Sequence, residues 1–195
     1  MDWMKYEKGF EDYFYKQEVF TTADAKRFII HMGGGGQYAR LFIHNLAKSK
    51  RVYRIAKGVY SFQKNEATYG FAFRPFYYGM GYAMTIRQLW TQQANPVIIT
   101  RTAANQGARL INDTRVVIHR ISQHGFFGFD YLKYSGIYVP VSVPEKILLD
   151  FFYFRIKIPK DYENALINAS DNKTLLKYAK TLGHRYESYV YGHIS

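Results

Sequence analysis

Thr21-Thr22-Ala23-Asp24-Ala25-Lys26-Arg27-Phe28-Ile29-Ile30-His31-Met32-Gly33-Gly34-Gly35-Gly36-Gln37-Tyr38-Ala39-Arg40-Leu41-Phe42-Ile43-His44-Asn45-Leu46-Ala47-Lys48-Ser49 holds two short amphipathic segments around a run of glycines. Thr21 or Thr22 can cap the first segment, with Asp24 in a capping-box position, and Ala25, Phe28, Ile29 and Met32 form its apolar stripe. The glycines permit positive φ and a sharp turn, leaving the next helix free to set its own angle. That helix is expected from Gln37 to Ser49, with Ala39, Phe42, Ile43 and Leu46 on one side and Gln37, Arg40, His44 and Lys48 on the other. Two β-like runs follow, Arg51 to Ile55 and Val59 to Phe62, turned at Ala56-Lys57-Gly58. Helix, turn, helix, hairpin is the plan of a winged helix-turn-helix.

Charge supports that reading. The 195 residues carry 27 Lys and Arg against 15 Asp and Glu, a net charge of +12. Between Asp24 and Glu66 there is no acidic residue, while Lys26, Arg27, Arg40, Lys48, Lys50, Arg51, Arg54, Lys57 and Lys64 all fall there. A one-signed segment attracts phosphate, because each neutralised phosphate releases condensed counterions. Arg40 and Lys48 suit guanine edges or phosphates, Gln37 and Asn45 suit adenine, and His44 can donate to either. The competing reading of the same face is a solvated helix surface. The candidate DNA-contacting set is therefore Thr22, Gln37, Tyr38, Arg40, Leu41, His44 and Asn45 with Lys48, Arg51, Arg54 and Lys57.

Working outward, Met1 to Gln17 places Tyr6, Phe10, Tyr13 and Phe14 at helical spacing and reads as a first amphipathic helix. Gln63 to Tyr69 reads as a polar connector, dividing a winged helix over residues 1–64 from a mixed domain over residues 70–195. In the latter, a helix is expected over Gly81 to Trp90 and strands over Pro96 to Thr102, Arg115 to Ile121, Phe126 to Leu132 and Gly136 to Val143. Thr102 to Thr114 reads as a polar excursion. Pro144-Glu145-Lys146 opens a helix to about Phe154, and helices over Asp161 to Ala169 and Lys173 to Leu182, with Gly183 as C-cap, close the fold. The expected class is α+β, with a small sheet flanked by helices.

Catalytic signatures are sparse. There is no cysteine, and the six histidines show no metal-ligand spacing. The glycine run lacks the Lys-Ser or Lys-Thr of a phosphate-binding loop, and no G-x-S-x-G element occurs. Glu145 and Asp150 point about 140° apart on their helix, so Lys146 and Asp150 read instead as an i,i+4 ion pair worth a few tenths of a kcal/mol. His124 to Tyr131 echoes an RNA-binding aromatic strand, although core packing explains its aromatics more simply. No enzyme activity, cofactor or metal is expected; a nuclease using Asp113 or Glu145, or an RNA-binding protein, is the alternative class. No apolar run approaches the roughly 20 residues that span a bilayer, so a cytoplasmic protein without membrane attachment is expected.

Lys57-Gly58-Val59-Tyr60, Pro75-Phe76-Tyr77-Tyr78-Gly79 leading into Ala83 to Trp90, Val97-Ile98-Ile99-Thr100, and Val143-Pro144-Glu145-Lys146-Ile147-Leu148-Leu149-Asp150 together resemble the AbiEi family of type IV toxin-antitoxin antitoxins. The similarity runs over about residues 20 to 155. It implies a winged helix that binds double-stranded DNA at its own promoter and represses its operon, joined to a C-terminal antitoxin domain opposing a nucleotidyltransferase-like toxin. Departures are the glycine-rich turn, the heavy Phe and Tyr content and the short chain past Asp150. A stand-alone winged-helix regulator has the same build at this level, and the sequence leaves the oligomeric state open.

Overall fold

Thr21 caps its helix as its spacing predicts. Its hydroxyl accepts from Asp24 N (3.1 Å), while the Asp24 carboxylate accepts from Thr21 N (2.8 Å), closing the capping box. The computed structural model describes residues 4–194 and divides them between two units, residues 4–72 with 110–114, and residues 73–109 with 115–194.

In the first unit, α1 (Met4–Phe14) is followed by β1 (Phe20–Thr21), α2 (Thr22–His31), a 3-10 turn (Gly36–Tyr38), α3 (Ala39–Lys48) and the hairpin β2 (Tyr53–Ala56) and β3 (Val59–Ser61). The expected start of α1 at Met1 lies outside the described residues. The short strand β1 pairs antiparallel with β3, giving the order β1-β3-β2, which is the winged-helix arrangement. Phe10 is fully buried at the centre of an aromatic cluster, with the rings of Phe14, Phe20, Phe28, Phe42 and Phe62 4.5 to 6.0 Å away. Such tilted and edge-on pairs add stabilisation beyond their burial.

Three details of this region differ from expectation. Met32 stands beyond the end of α2 and is exposed, because the chain leaves the helix there, with Met32 N donating to Phe28 O and Gly33 N to Ile30 O. Only Gly33 of the four glycines has positive φ (80°); Gly34 is required instead by space, since a Cβ there would lie 2.8 Å from Ile29 Cγ2. The α-helix of the second segment begins at Ala39 rather than Gln37, the intervening residues forming the 3-10 turn.

The second unit contains β4 (Phe76–Tyr78), α4 (Met80–Ile86), β5 (Val97–Thr100), β6 (Gly107–Ile111, whose last two residues belong to the first unit), β7 (Thr114–Arg120, whose first residue does so too), β8 (Phe129–Tyr134) and β9 (Ile137–Ser142). Then come α5 (Pro144–Tyr153), α6 (Lys160–Ala169), α7 (Asn172–Leu182) and α8 (His184–Ile194). The mixed sheet runs β6-β7-β5-β4-β9-β8, with β5 parallel to β7, β4 parallel to β9 and β4 antiparallel to β5. The chain is thus α+β. Gly183 ends α7 at φ 109°.

Several expectations give way here. The polar excursion over Thr102 to Thr114 contains β6, an edge strand whose Gly107, Ala108 and Leu110 are exposed and so lack an alternating apolar signal. The connector is a 3-10 segment, Glu66–Phe73, in which Ala67, Thr68 and Tyr69 are buried. Helix α8 follows Gly183 immediately. The Lys146 and Asp150 pair is not a surface pair at all: both side chains are completely buried, and Lys146 Nζ donates to Asp150 and to Tyr77 Oη (3.0 Å). The hydroxyl of Tyr77 in turn donates to the Asp150 carboxylate, at 3.0 and 3.2 Å. Burial pushes the Asp150 carboxyl upward against the pull of Lys146, and burial with the nearby Asp150 charge drives the Tyr77 hydroxyl well above its usual value. Around them α5 is buried on all sides, with Glu145, Ile147, Leu148, Leu149 and Phe151 also buried, as in a helix enclosed by its neighbours.

Candidate nucleic-acid interface

The α3 helix separates its residues as an amphipathic element must. Ala39, Phe42, Ile43 and Leu46 are buried, and Gln37, Tyr38, Arg40, Leu41, His44, Asn45 and Lys48 are exposed. Two adjacent rows result. Gln37, Arg40, His44 and Lys48 form a polar, cationic row; Tyr38, Leu41 and Asn45 form a second, in which Leu41 is 51% exposed. An apolar side chain within a cationic face has a use in the major groove, where the thymine methyl offers an apolar contact.

An open depression between the starts of α2 and α3 is lined by Thr22, Ala23, Lys26, Gly36, Gln37, Ala39 and Arg40. It brings Thr22, Gln37 and Arg40 together and adds Lys26, absent from the set chosen on sequence. Its signal was its place in the acid-free segment, one helical turn after Thr22. Thr22 also ties the hairpin to α2, its N–H donating to Gly58 O at 2.9 Å. Lys57 is exposed at the hairpin tip beside Gly58, whose φ of 73° makes the two-residue turn. Arg54 is exposed on β2, its Nε donating to Ala56 O (3.4 Å) at the bulge between Arg54 and Ala56.

Arg51 departs from this set. Its guanidinium donates to Glu7 and Glu11 of α1, both at 2.5 Å, and these hydrogen bonds raise its pKa. The acid-free stretch is acid-free only along the chain, since folding delivers two carboxylates from forty residues away. Arg51 therefore docks α1 on the winged helix. Replacing it with Ala is expected to leave DNA affinity within about twofold and to lower stability by at most about 1 kcal/mol, because all three side chains are partly exposed. Hydrogen exchange of the α1 amides alongside a DNA titration separates this outcome from loss of a phosphate contact. Asp24 is likewise committed: burial opposes, but hydrogen bonds from Thr21 and Arg27 outweigh it and hold the carboxyl below its ordinary value.

Most of the other candidate residues have structural partners. Phe126 and Phe129 of the RNA-binding echo lie 5.4 and 5.1 Å from the Tyr77 ring in the core of the second unit. The Glu145 carboxylate is buried and accepts from Asp171 N (2.7 Å), and Asp113 lies in the turn between β6 and β7. Among the described residues no group of three or more His, Asp or Glu is placed to hold a metal ion, and no helix is long and apolar enough to cross a membrane.

No protein-family model matches the chain, and no curated protein matches it. Among solved structures, the Rv2827c protein from Mycobacterium tuberculosis is similar, with a TM-score of 0.63 and 13% identity, over 99% of this chain and 77% of that one. At that identity, the likeness is one of fold.

Proposed function

We propose that this chain is a DNA-binding transcriptional regulator that reads duplex DNA with α3 and holds the backbone with its wing. The observation that carries the reading is the exposed double row on α3, cationic and polar with Leu41 in its middle, backed by a fully apolar buried face. A merely solvated face has no need of Arg40, His44 and Lys48 in one row beside Lys26, with no carboxylate in α3 to offset them. Mobility-shift titrations on the DNA upstream of its own gene, at two salt concentrations, test it. Arg40→Ala is expected to weaken binding by about 1 to 3 kcal/mol and relax base preference at its position. Lys57→Ala is expected to weaken all sequences alike and lower the salt slope by about 1. Equal affinity of the wild-type chain for its upstream DNA and for random DNA overturns the specific reading.

Within that function, the biology we propose is an autoregulatory antitoxin of the AbiEi kind, opposing a nucleotidyltransferase-like toxin. Its support is the coincidence of Lys57-Gly58-Val59-Tyr60 and Pro144 to Asp150 with that family's motifs. Co-expression of the full chain with an adjoining toxin gene is expected to restore growth; an active toxin that stays lethal in its presence overturns this part and leaves the DNA reading intact.

A further inference from the structure

We infer that the second unit holds a mononucleotide-binding pocket at the end of α5. A cavity of about 500 Å³ there is lined by Phe151, Phe152, Arg155, Ile156, Lys157, Ile158, Glu163, Arg185 and Tyr189. Its size falls in the range of small-ligand sites, and its walls are mainly apolar with a few convergent charges. Three segments converge on it: α5 with the loop that follows, α6 through Glu163, and α8 through Arg185 and Tyr189.

The flat groups are layered. Phe152 stacks on Tyr189 with centroids 4.2 Å apart at 19°, Tyr186 meets Phe152 edge-on at 5.2 Å, and the Arg185 guanidinium carbon is 5.1 Å from the Phe152 centroid. Rings and a guanidinium layered in this way give the hollow flat walls, the kind of surface nucleic-acid bases lie against. Arg155, Lys157 and Arg185 are all exposed, and none pairs with a carboxylate among the described residues. Glu163, the one acidic group in the lining, accepts instead from Tyr189 Oη (3.3 Å), whose pKa burial and Glu163 raise to about 12, so that the hydroxyl remains a donor. Three cations around one hollow repel one another until an anion joins them. Arg155 stands at φ 55° just after the C-cap of α5, where glycine is the usual occupant, so a cation is kept at a strained position at the rim. An apolar body of planar shape with phosphate at one end meets all three features.

The test uses the full-length chain in calorimetric titrations with ATP, GTP, adenosine and inorganic pyrophosphate. Wild type is expected to bind one of the nucleotides saturably with Kd of about 1 mM or tighter. Pyrophosphate and adenosine, each carrying half of the chemistry, are expected to bind at least about tenfold more weakly. An Arg155→Ser and Arg185→Ser double variant is expected to weaken nucleotide binding at least about tenfold. Where its circular dichroism shows it unfolded, Lys157→Glu alone, at an exposed position, takes its place. A variant with Arg40, His44 and Lys48 replaced by Ala is expected to bind nucleotide as wild type does, which separates this pocket from the proposed DNA surface. Absence of saturable binding, pyrophosphate binding as tightly as ATP or GTP, wild-type affinity in the folded pocket variant, or equal loss in the α3 variant overturns the pocket.

Discussion

Lys146→Met is expected to destabilise the second unit by about 3 to 5 kcal/mol, the cost of leaving an uncompensated charge in an interior. The magnitude follows from what remains. Asp150 has no solvent exposure, and without Lys146 its carboxylate keeps, among the described residues, only the Tyr77 hydroxyl as a side-chain hydrogen-bond donor. The ammonium also lies 5.3 and 5.4 Å from the rings of Tyr77 and Phe127, contacts a thioether replaces only weakly. Removing the whole polar cluster at once behaves differently. A Tyr77→Phe, Lys146→Met, Asp150→Leu variant is expected to recover most of the loss, because desolvation then falls on no charged group. Hydrogen exchange of the β4, β9 and α5 amides measures both, without assuming that the two units unfold together. A loss below about 1 kcal/mol in Lys146→Met would show that water reaches the pair.

Simultaneous replacement of Arg40, His44 and Lys48 by Ala is expected to reduce affinity for the upstream DNA by at least about a hundredfold. Even at about 1 kcal/mol each, three contacts sum to about 3 kcal/mol. All three side chains are exposed on the face opposite Ala39, Phe42, Ile43 and Leu46, so the variant should fold as the parent does. Unchanged α3 protection by hydrogen exchange establishes that point. If this variant and the wild type shift DNA equally, α3 does not read the groove.

The sequence by itself determined the local elements of the winged helix. The Thr21 and Asp24 box, the apolar stripe of α3 and the Lys57-Gly58 turn are short-range matters, settled by neighbours within a few residues. The residues expected on the outward face of α3 are exposed for the same reason, since helical period alone assigns them to one side. Tertiary structure decided everything that depended on a distant partner. Arg51 became a strut because Glu7 and Glu11 lie against it, and Lys26 joined Arg40 because α2 and α3 start side by side. Lys146 and Asp150 have the spacing of a surface pair, and only the sheet and helices around α5 bury them. The hollow beside Phe152 collects its cations from a loop and from α8, a helix beginning directly after the residue that ends α7. Periodicity reports which way a side chain points; what it meets there depends on segments tens of residues away.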